Sequence, residues 1–340
     1  MATLSPAIDA QQTNWDDRDS RDGRDGRDSR DGRDSRDGRE GRDSNDGYDG
    51  RDGRHSGRTA GVRHRLRTLG ISYWLGWQIA TNWTDPLLFV IYSVVRPLGG
   101  LLILVFMFRV VAGGKTGPEL AYFLVGSAFW PFVLNGMQGM AIGFIEDRER
   151  YSTLRYLYTA PMPFAVYLVG RSLAQATAAL AAVAVAIVFG RTVLGLPLDL
   201  ARVDWGFLAA GMAFGLVAIL ALGLLAVTAI MGLTRQAWRL PEALGGAFFL
   251  ICGAIFPIAV LPAPLQAVAR AMPLTWWLEA MRRAVLGKGA LKALPWASDA
   301  QVLQGLAVTT AATLVVGVLA FRWGDRRARQ SGVLDHETGY

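Results

Sequence analysis

The chain has 340 residues, of which 52% are hydrophobic and 19% charged, with a net charge of +7 and a mean hydropathy of +0.27. This composition excludes an average soluble domain, which is less apolar and richer in charge. The basic residues cluster at the ends of apolar runs, which favours anionic lipid headgroups over nucleic acid as the surface they contact. We therefore expect a membrane protein whose partners include lipids and exclude nucleic acid.

Residues 1–60 form an N-terminal tail of unusual composition. They hold 12 of the 35 Lys and Arg and 15 of the 28 Asp and Glu, and from Ser20 to Ser44 the chain repeats Arg, an acid, and Gly or Ser. Such a segment has almost no apolar surface to offset the entropy of ordering, so it predicts a disordered cytoplasmic tail. A tether or a lipid contact is one role for it, and a dispensable extension is the simplest.

Residues 58–83 predict a helix at the membrane surface. Basic side chains come first and aromatic ones follow, which is typical of a helix at the level of the lipid headgroups. The alternative is a short soluble helix. These residues are Arg58, Arg63, Arg65, Arg67, Tyr73, Trp74, Trp77 and Trp83.

Six apolar runs follow, each close to the roughly 20 residues that a helix needs to cross a hydrocarbon core of about 30 Å. They predict an all-α polytopic membrane protein of about six transmembrane helices, with its membrane domain over residues 61–332. Arg96 and Pro97 interrupt the first run, so we expect a bend there. The runs lie near 87–111, 119–144, 164–189, 205–231, 242–260 and 302–322.

The flanking charges predict the orientation of these helices. Basic clusters at 58–67 and 322–329 both favour the cytoplasmic side. Six spans place both there, so the N and C termini are expected in the cytoplasm, with 333–340 as a short tail. The segment between the fifth and sixth spans is an exception, because it is basic yet would lie outside; its amphipathic pattern lets it lie on the membrane surface. Its basic residues are Arg270, Arg282, Arg283, Lys288 and Lys292.

A polar stretch, EDRERYSTLRYLYTAPMP, runs from Glu146 to Pro163 between the second and third spans. On a helix, Arg150 would pair with Glu146 and Asp147 at spacings of four and three residues. Apolar side chains form a stripe beside these charges, and prolines end the helix. The pattern predicts a short amphipathic helix on which a soluble partner docks, with an ordinary solvated loop helix as the alternative. The stripe is Tyr151, Leu154, Leu157 and Tyr158.

With this stretch the chain resembles the membrane subunits of ABC-2 type exporters, a family that includes daunorubicin-resistance-like drug efflux permeases and polysaccharide and teichoic-acid export permeases. In that family a segment of the form Asp-Arg-Glu-x-x-Gly-Thr-Leu, ending in Pro, lies between the second and third spans and contacts the ATPase subunit. The resemblance implies an ATPase-coupling segment that starts at Glu146. It reads Asp147, Arg148, Glu149, Arg150, Tyr151, Ser152, Thr153 and Leu154, with Ser152 where Gly is common.

A second stretch, from Phe256 to Gly289, resembles the Pro-rich external re-entrant segment of the same family. Its apolar residues share one helical face, and Glu279 is placed to pair with Arg282 and Arg283. Together with Trp276 and Trp277, these residues form an external amphipathic segment that is expected to cap the extracellular exit. The resemblance extends over about residues 66–332. The apolar face consists of Leu274, Leu278, Met281 and Val285.

Arg171 lies about two turns into the third span, and we expect its side chain to reach the cytoplasmic surface as a structural anchor. A substrate or coupling role is the alternative. Gly114-Lys115-Thr116 ends like a phosphate-binding loop, but Arg109 stands where that loop needs Gly. No cluster has metal-ligand spacing or a nucleophile pattern. We therefore predict no enzyme, no metal site and no cofactor on this chain.

The resemblance implies a permease subunit of an ATP-driven exporter that moves an amphipathic drug, natural product or lipid-like substrate out of the cytoplasm. ATP and Mg would bind a separate soluble ATPase, and two permeases, identical or different, would assemble in the bacterial inner membrane. The alternatives are a permease for cell-envelope polysaccharide or glycolipid, a membrane-embedded lipid-modifying enzyme, and a scaffold that transports nothing.

Overall fold

The structure is a computed structural model, and it describes residues 53–81, scattered positions between 95 and 110, 118–193 except 152, 203–233, 237–287 and 291–331. Every regular element among these residues is helical. The predicted N-terminal tail up to residue 52, most of the predicted first span and the predicted C-terminal tail lie outside the described residues.

Four of the described helices are long and apolar enough to cross a membrane, namely α2, α4, α5 and α9. They coincide with the predicted second, third, fourth and sixth spans, and the predicted class of all-α polytopic membrane protein is confirmed. Helix α1 begins within the segment that was predicted to be tail. The bounds are α1 Gly53–Thr81, α2 Pro118–Ile145, α3 Leu154–Thr159, α4 Phe164–Thr192, α5 Trp205–Met231, α6 Arg239–Ile251, α7 Ala263–Ala271, α8 Pro273–Leu286 and α9 Asp299–Ser331.

Helix α2 is the centre of the bundle. In its most apolar stretch of 18 residues 83% of the sequence is buried, whereas in the corresponding stretch of α9 only 22% is buried. Helix α2 packs against α4 on one side and α5 on the other, while α1 covers α4 and α9 covers α5. Any movement of α2 must therefore shift the contacts of both pairs of helices, α1 with α4 and α5 with α9.

Helices α1 and α4 approach each other through small residues. A Cβ atom added at Gly170 would lie 2.5 Å from the Cβ of Ser72 and 2.9 Å from the carbonyl oxygen of Leu69. Small residues let helices pack closely where lipid gives no hydrophobic driving force. The exposed surface of α1 is mixed, because the apolar side chains Val62, Leu66, Ile71 and Trp74 are exposed and so are Arg63 and Arg67.

The predicted fifth span, 242–260, is not one continuous helix. Helix α6 has 13 residues and is about 20 Å long, which is shorter than a hydrocarbon core of about 30 Å. It ends at Ile251, and Gly253 follows with a left-handed φ of 73°, a conformation that glycine adopts without steric cost. Pro257 then precedes a short 3-10 turn, Ile258–Val260.

Helix α8 lies inside the protein, so the prediction that this segment lies on the membrane surface is wrong. Its contacts with α2, α5 and α9 bury both of its faces. Trp277 stacks on Phe132 with ring centroids 5.7 Å apart, and Gly215 leaves room for its indole. Gly215 lies ten residues after Trp205, about 15 Å along α5, so α8 reaches well into the bundle.

Two arginines of α8 belong to what we call the external network, named for the side on which the predicted orientation places it. Arg283 Nε donates to Glu279 Oε1 at 2.8 Å, and Arg283 Nη1 donates to Asp299 Oδ1 at 2.8 Å. The predicted pairing of Glu279 with Arg283 is thus confirmed. Arg282 instead donates to the carbonyl oxygens of Gly253 and Ala254 at 2.7 and 2.8 Å.

The external network explains part of the exception to the charge rule, whereas Arg270 and Lys292 are exposed. Arg282 and Arg283 are buried, at 1% and 6% exposed. Arg282 lies over the ring of Tyr122, 3.6 Å from its centroid. These two charges are satisfied by protein groups, so they do not lie in the external water, where basic residues would oppose the predicted orientation.

Candidate coupling site at the cytoplasmic end

Helix α2 does not end at Ile145 but continues as a π-helical turn, Glu146–Arg150. The backbone N–H groups of Tyr151 and Thr153 donate to the carbonyl oxygens of Glu146 and Asp147, at 2.9 and 3.0 Å. Such wide turns are rare and are frequently found at functional sites. Here the turn directs the two acidic side chains toward α4.

Arg171 of α4 binds both acids, in what we call the cytoplasmic network, named for the side on which the predicted orientation places it. Its Nη1 lies 2.6 Å from Asp147 Oδ1, and its Nη2 lies 3.0 Å from Glu146 Oε2. Tyr167 donates its O–H to Asp147 Oδ2 at 3.0 Å, and Arg171 Nη1 donates to the carbonyl oxygen of Gly143 at 3.2 Å. The network joins α2 to α4 by charge-assisted hydrogen bonds, which are stronger than neutral ones.

Two predictions about these residues are wrong. Arg171 is 5% exposed and does not extend to the surface. Glu146 and Asp147 pair with Arg171 and not with Arg150, whose side chain is exposed. The physical reason is that a guanidinium buried in a bundle must be paired, so Arg171 competes for the acids more strongly than an exposed arginine does.

Arg148 and Glu149 attach the π turn to the connection between α5 and α6. Arg148 is buried, and its Nη1 donates to the carbonyl oxygen of Leu233 at 3.3 Å. Its Nη2 donates to Glu149 Oε1 at 2.7 Å. Glu149 Oε2 accepts from Nε1 of Trp238 at 2.8 Å, just before α6 begins.

The following helix, α3, is held by α9 and α1. The ring of Tyr158 packs on Phe164 with centroids 4.7 Å apart, and the guanidinium carbon of Arg329 lies 4.6 Å from the Tyr158 centroid. Burial, with a further contribution from Asp325, raises the pKa of Tyr158, so the phenol stays neutral. The Nε2 atom of His64, on α1, lies 2.8 Å from the carbonyl oxygen of Pro161, just after α3.

One side of this segment faces outward. Leu154 is 3% exposed, and the rest of the predicted apolar stripe is partly buried, whereas Tyr156 is 73% exposed. Arg150 is exposed as well, and its guanidinium carbon lies 5.7 Å from the ring centroid of Tyr151. The result is a short helix with an anchored base and an aromatic tip, which suits mechanical contact better than bond-making chemistry.

Several anchoring residues could not be found from the sequence. His64, Trp238 and Arg329 are far from the segment along the chain and belong to no motif. The sequence offered one indication of their role. The charge rule places these parts of α1, α6 and α9 on the predicted cytoplasmic side, together with the segment.

The comparison with known proteins agrees with this geometry. The sequence model of the ABC-2 type transporter matches residues 71–286, which include the π turn, α3 and both arginines of the external network. The chain belongs to the ABC-2 type transporter family. No curated protein matches it. The predicted family is therefore confirmed, and this ABC-2 protein is a multi-pass membrane protein and a permease component of an ABC transporter.

Membership of the ABC-2 family indicates a role in transport. A membrane component of this family takes part in transport and is not itself catalytic, and the family implies association with an ABC ATPase and with a second permease. The segment from Glu146 to Thr159 lies within the matched range. The C-terminal part of α9, which carries Asp325 and Arg329, lies beyond it.

Proposed function

We propose that this ABC-2 permease is the membrane subunit of an ATP-driven exporter in the plasma membrane of a bacterium. It moves an amphipathic drug, natural product or lipid-like substrate out of the cytoplasm. ATP and Mg bind a separate soluble ATPase, and two permeases assemble with two ATPases. The observation that carries this proposal is the outward-facing tip of α3 on an anchored base.

The proposed coupling segment is the π turn together with α3, residues 146–159. ATP-driven closure of the soluble pair would push on Tyr156, and the push would spread through each anchor. Asp147 carries it to Arg171 on α4, and Arg148 carries it to the connection between α5 and α6. Rigid-body rocking of helices, selected by a ligand that binds one state better, is a known way to change access.

In this proposal residues 61–332 form the transporting domain, and the chain outside it is cytoplasmic. The substrate enters sideways from the inner leaflet, where α1 lies against α4. An amphiphile fits this route because its apolar part can stay in lipid while its polar part moves between helices.

Photo-crosslinking in living cells tests the proposal. A photoreactive amino acid in place of Tyr156 is expected to capture a soluble ABC ATPase, because this side chain faces away from the bundle. The matched control is the same replacement at Trp205, which is 63% exposed at the opposite end of the bundle and should capture none. Absence of any ATPase at Tyr156, or equal capture at both positions, would contradict the proposal.

A further inference from the structure

A polar groove opens between α1, α2 and α4 on the cytoplasmic half of the bundle. It encloses about 120 Å³. Three amide side chains line it, and the paired Glu146 and Arg171 close its cytoplasmic end. We call this feature the amide groove. Its amides are Asn135, Gln138 and Gln175, and Gly139 leaves space between them.

The amides form a track that leads from the cytoplasmic surface toward the middle of the membrane. Spacings of three and eight residues place Asn135, Gln138 and Glu146 on one face of α2. Gln175 faces them from α4, eleven residues after Phe164, or about 16 Å along the helix. A hydrocarbon core of about 30 Å has its middle near that depth. Polar side chains at such depth are costly and mark substrate pathways.

Each of the three amide side chains has at least one hydrogen-bonding group that no described residue uses. Gln175 makes no hydrogen bond within the part of the chain that the structure describes. Asn135 Nδ2 donates to the carbonyl oxygen of Pro131 at 2.7 Å, and Gln138 Nε2 donates to that of Pro241 at 3.1 Å. Each therefore retains an amide oxygen as an acceptor. Structural amides at membrane depth are expected to be satisfied internally, so these unused groups suit a ligand better than packing.

The charges at the groove select the sign of that ligand. Arg171 is bound by Glu146, Asp147 and the Gly143 carbonyl, so its positive charge is already shared by two carboxylates. The two charged side chains that line the groove, Glu146 and Arg171, are paired with each other, and Asp147 beside the groove also bonds to Arg171, so the described lining offers no uncompensated positive charge. Glu146 uses Oε2 toward Arg171, and its Oε1 accepts nothing among the described residues. An anionic headgroup would meet repulsion here, whereas a hydroxyl or ammonium donor would meet acceptors.

We propose that the amide groove binds the polar headgroup of an amphiphilic substrate, and that this headgroup is uncharged or cationic and rich in hydrogen-bond donors. The apolar part of the substrate remains in lipid beside α1, whose exposed Ile71 and Trp74 continue the apolar surface. This inference rests on the proposed export function, since it names the substrate class of that same path.

Photo-labelling of the full chain in phosphatidylcholine nanodiscs tests the headgroup. Three probes share a dodecyl chain with a diazirine and differ in carrying a maltoside, a primary ammonium or a phosphate. Mass spectrometry then maps the label. The maltoside and ammonium probes are expected to label peptides that contain residues 135–146 and 171–175 at least several-fold more than the phosphate probe does.

Two variants test the amides themselves. Gln175→Leu and Asn135→Leu keep the size of the side chain but remove its hydrogen-bonding groups, and each should lower labelling by the maltoside probe several-fold. The matched control is Gln304→Leu, because Gln304 is an exposed amide on α9 outside the groove, and it should leave labelling unchanged. Size-exclusion chromatography confirms that all three variants are folded.

The outcomes separate this inference from the proposed function. Equal labelling by the phosphate probe, or loss of labelling in the Gln304 variant alone, overturns the inference. If the groove is never labelled while Tyr156 still captures an ATPase, the groove proposal fails and the exporter proposal stands. If labelling follows the expected order but Tyr156 captures no ATPase, the groove binds amphiphiles without the coupling that export requires.

Discussion

The two ends of the bundle both bury arginine beside acid, but they connect different things. In the external network Glu279 and Arg283 lie one turn apart on the same helix, and Arg283 adds Asp299 at the start of α9. In the cytoplasmic network Arg171 belongs to α4 and its acids belong to the turn after α2. Pairs within one helix stiffen that helix, whereas pairs between helices fix their relative position. Because Arg283 also bonds to Asp299, the external network both stiffens α8 and holds it against its neighbours, and we call it the cap; the cytoplasmic network links α2 to α4, and we call it the joint.

Burial distinguishes individual acids within each network. Glu279 at the cap is 0% exposed and Asp147 at the joint is 3% exposed, whereas Glu146 is 21% exposed and Asp299 is 70% exposed. Charges that solvent reaches lose part of their interaction to screening, whereas buried ones keep it. We therefore expect loss of a buried charge to cost stability of the same order at either end, and substitutions at the joint to cost more transport.

The largest effect is expected for Glu279→Leu. The substitution removes the buried carboxylate beside Arg283, which keeps only the exposed Asp299 as an acidic partner, and it removes the acceptor of the Ala293 backbone N–H. Removing one partner of a buried ion pair costs about 3–5 kcal/mol. Thermal unfolding of the detergent-purified protein, followed by tryptophan fluorescence, should show a large fall in the midpoint.

The double variant Glu279→Leu with Arg283→Leu is the control for that experiment. It removes both charges, so much of the lost stability should return. A double variant no more stable than Glu279→Leu would mean that shape, and not charge pairing, holds the cap.

A loss of stability of the same order is expected for Arg171→Met at the joint. The substitution deletes the hydrogen bonds to Asp147 and Glu146, and bonds to charged groups contribute about 1.5–3 kcal/mol each. Part of this loss is offset because Glu146 reaches solvent. ATP-dependent transport in proteoliposomes should fall further than stability does, since α2 and α4 no longer move together.

Asp147→Asn in the Arg171→Met background separates charge from position. It removes the unpaired buried carboxylate, so the unfolding midpoint should rise relative to Arg171→Met alone. Transport should remain low, because neither helix regains its link. Full recovery of transport would show that the joint is dispensable for coupling.

The sequence was sufficient for those features that depend on local pattern. Runs of apolar residues placed α2, α4, α5 and α9, and the segment after Glu146 carried the family motif. The Glu279–Arg283 pair also followed from helical spacing, because both residues lie on one element. Each of these features can be worked out without knowing what packs against it.

The failures share one physical cause, which is that tertiary partners compete with local ones. Arg171 was expected to reach the surface, yet two acids from another helix meet it inside the bundle. Helix α8 looked amphipathic, but its polar face is satisfied by Asp299 and by carbonyl oxygens at the end of α6. A helical pattern shows which side is polar and cannot show whether water or protein covers that side.

The smallest change in stability, and the sharpest contrast between the two ends, is expected for Trp238→Phe. Trp238 is 41% exposed, and the substitution removes its hydrogen bond to Glu149, so the loss should be at most about 1 kcal/mol. Coupling should nevertheless fall, because this bond ties the π turn to the start of α6. The measurement is the amount of substrate moved per ATP hydrolysed in proteoliposomes.

Trp296→Phe provides the matched control at the external end. Trp296 packs edge-to-face on Trp276, with centroids 5.9 Å apart. Its indole is 60% exposed, compared with 41% for Trp238, so the same substitution is made at an exposed tryptophan in both places. It should leave the ratio of transport to hydrolysis unchanged, because a rigid cap does not transmit the motion. Equal losses at both tryptophans would show that the ends of the bundle move as one body, and the distinction between cap and joint would then be wrong.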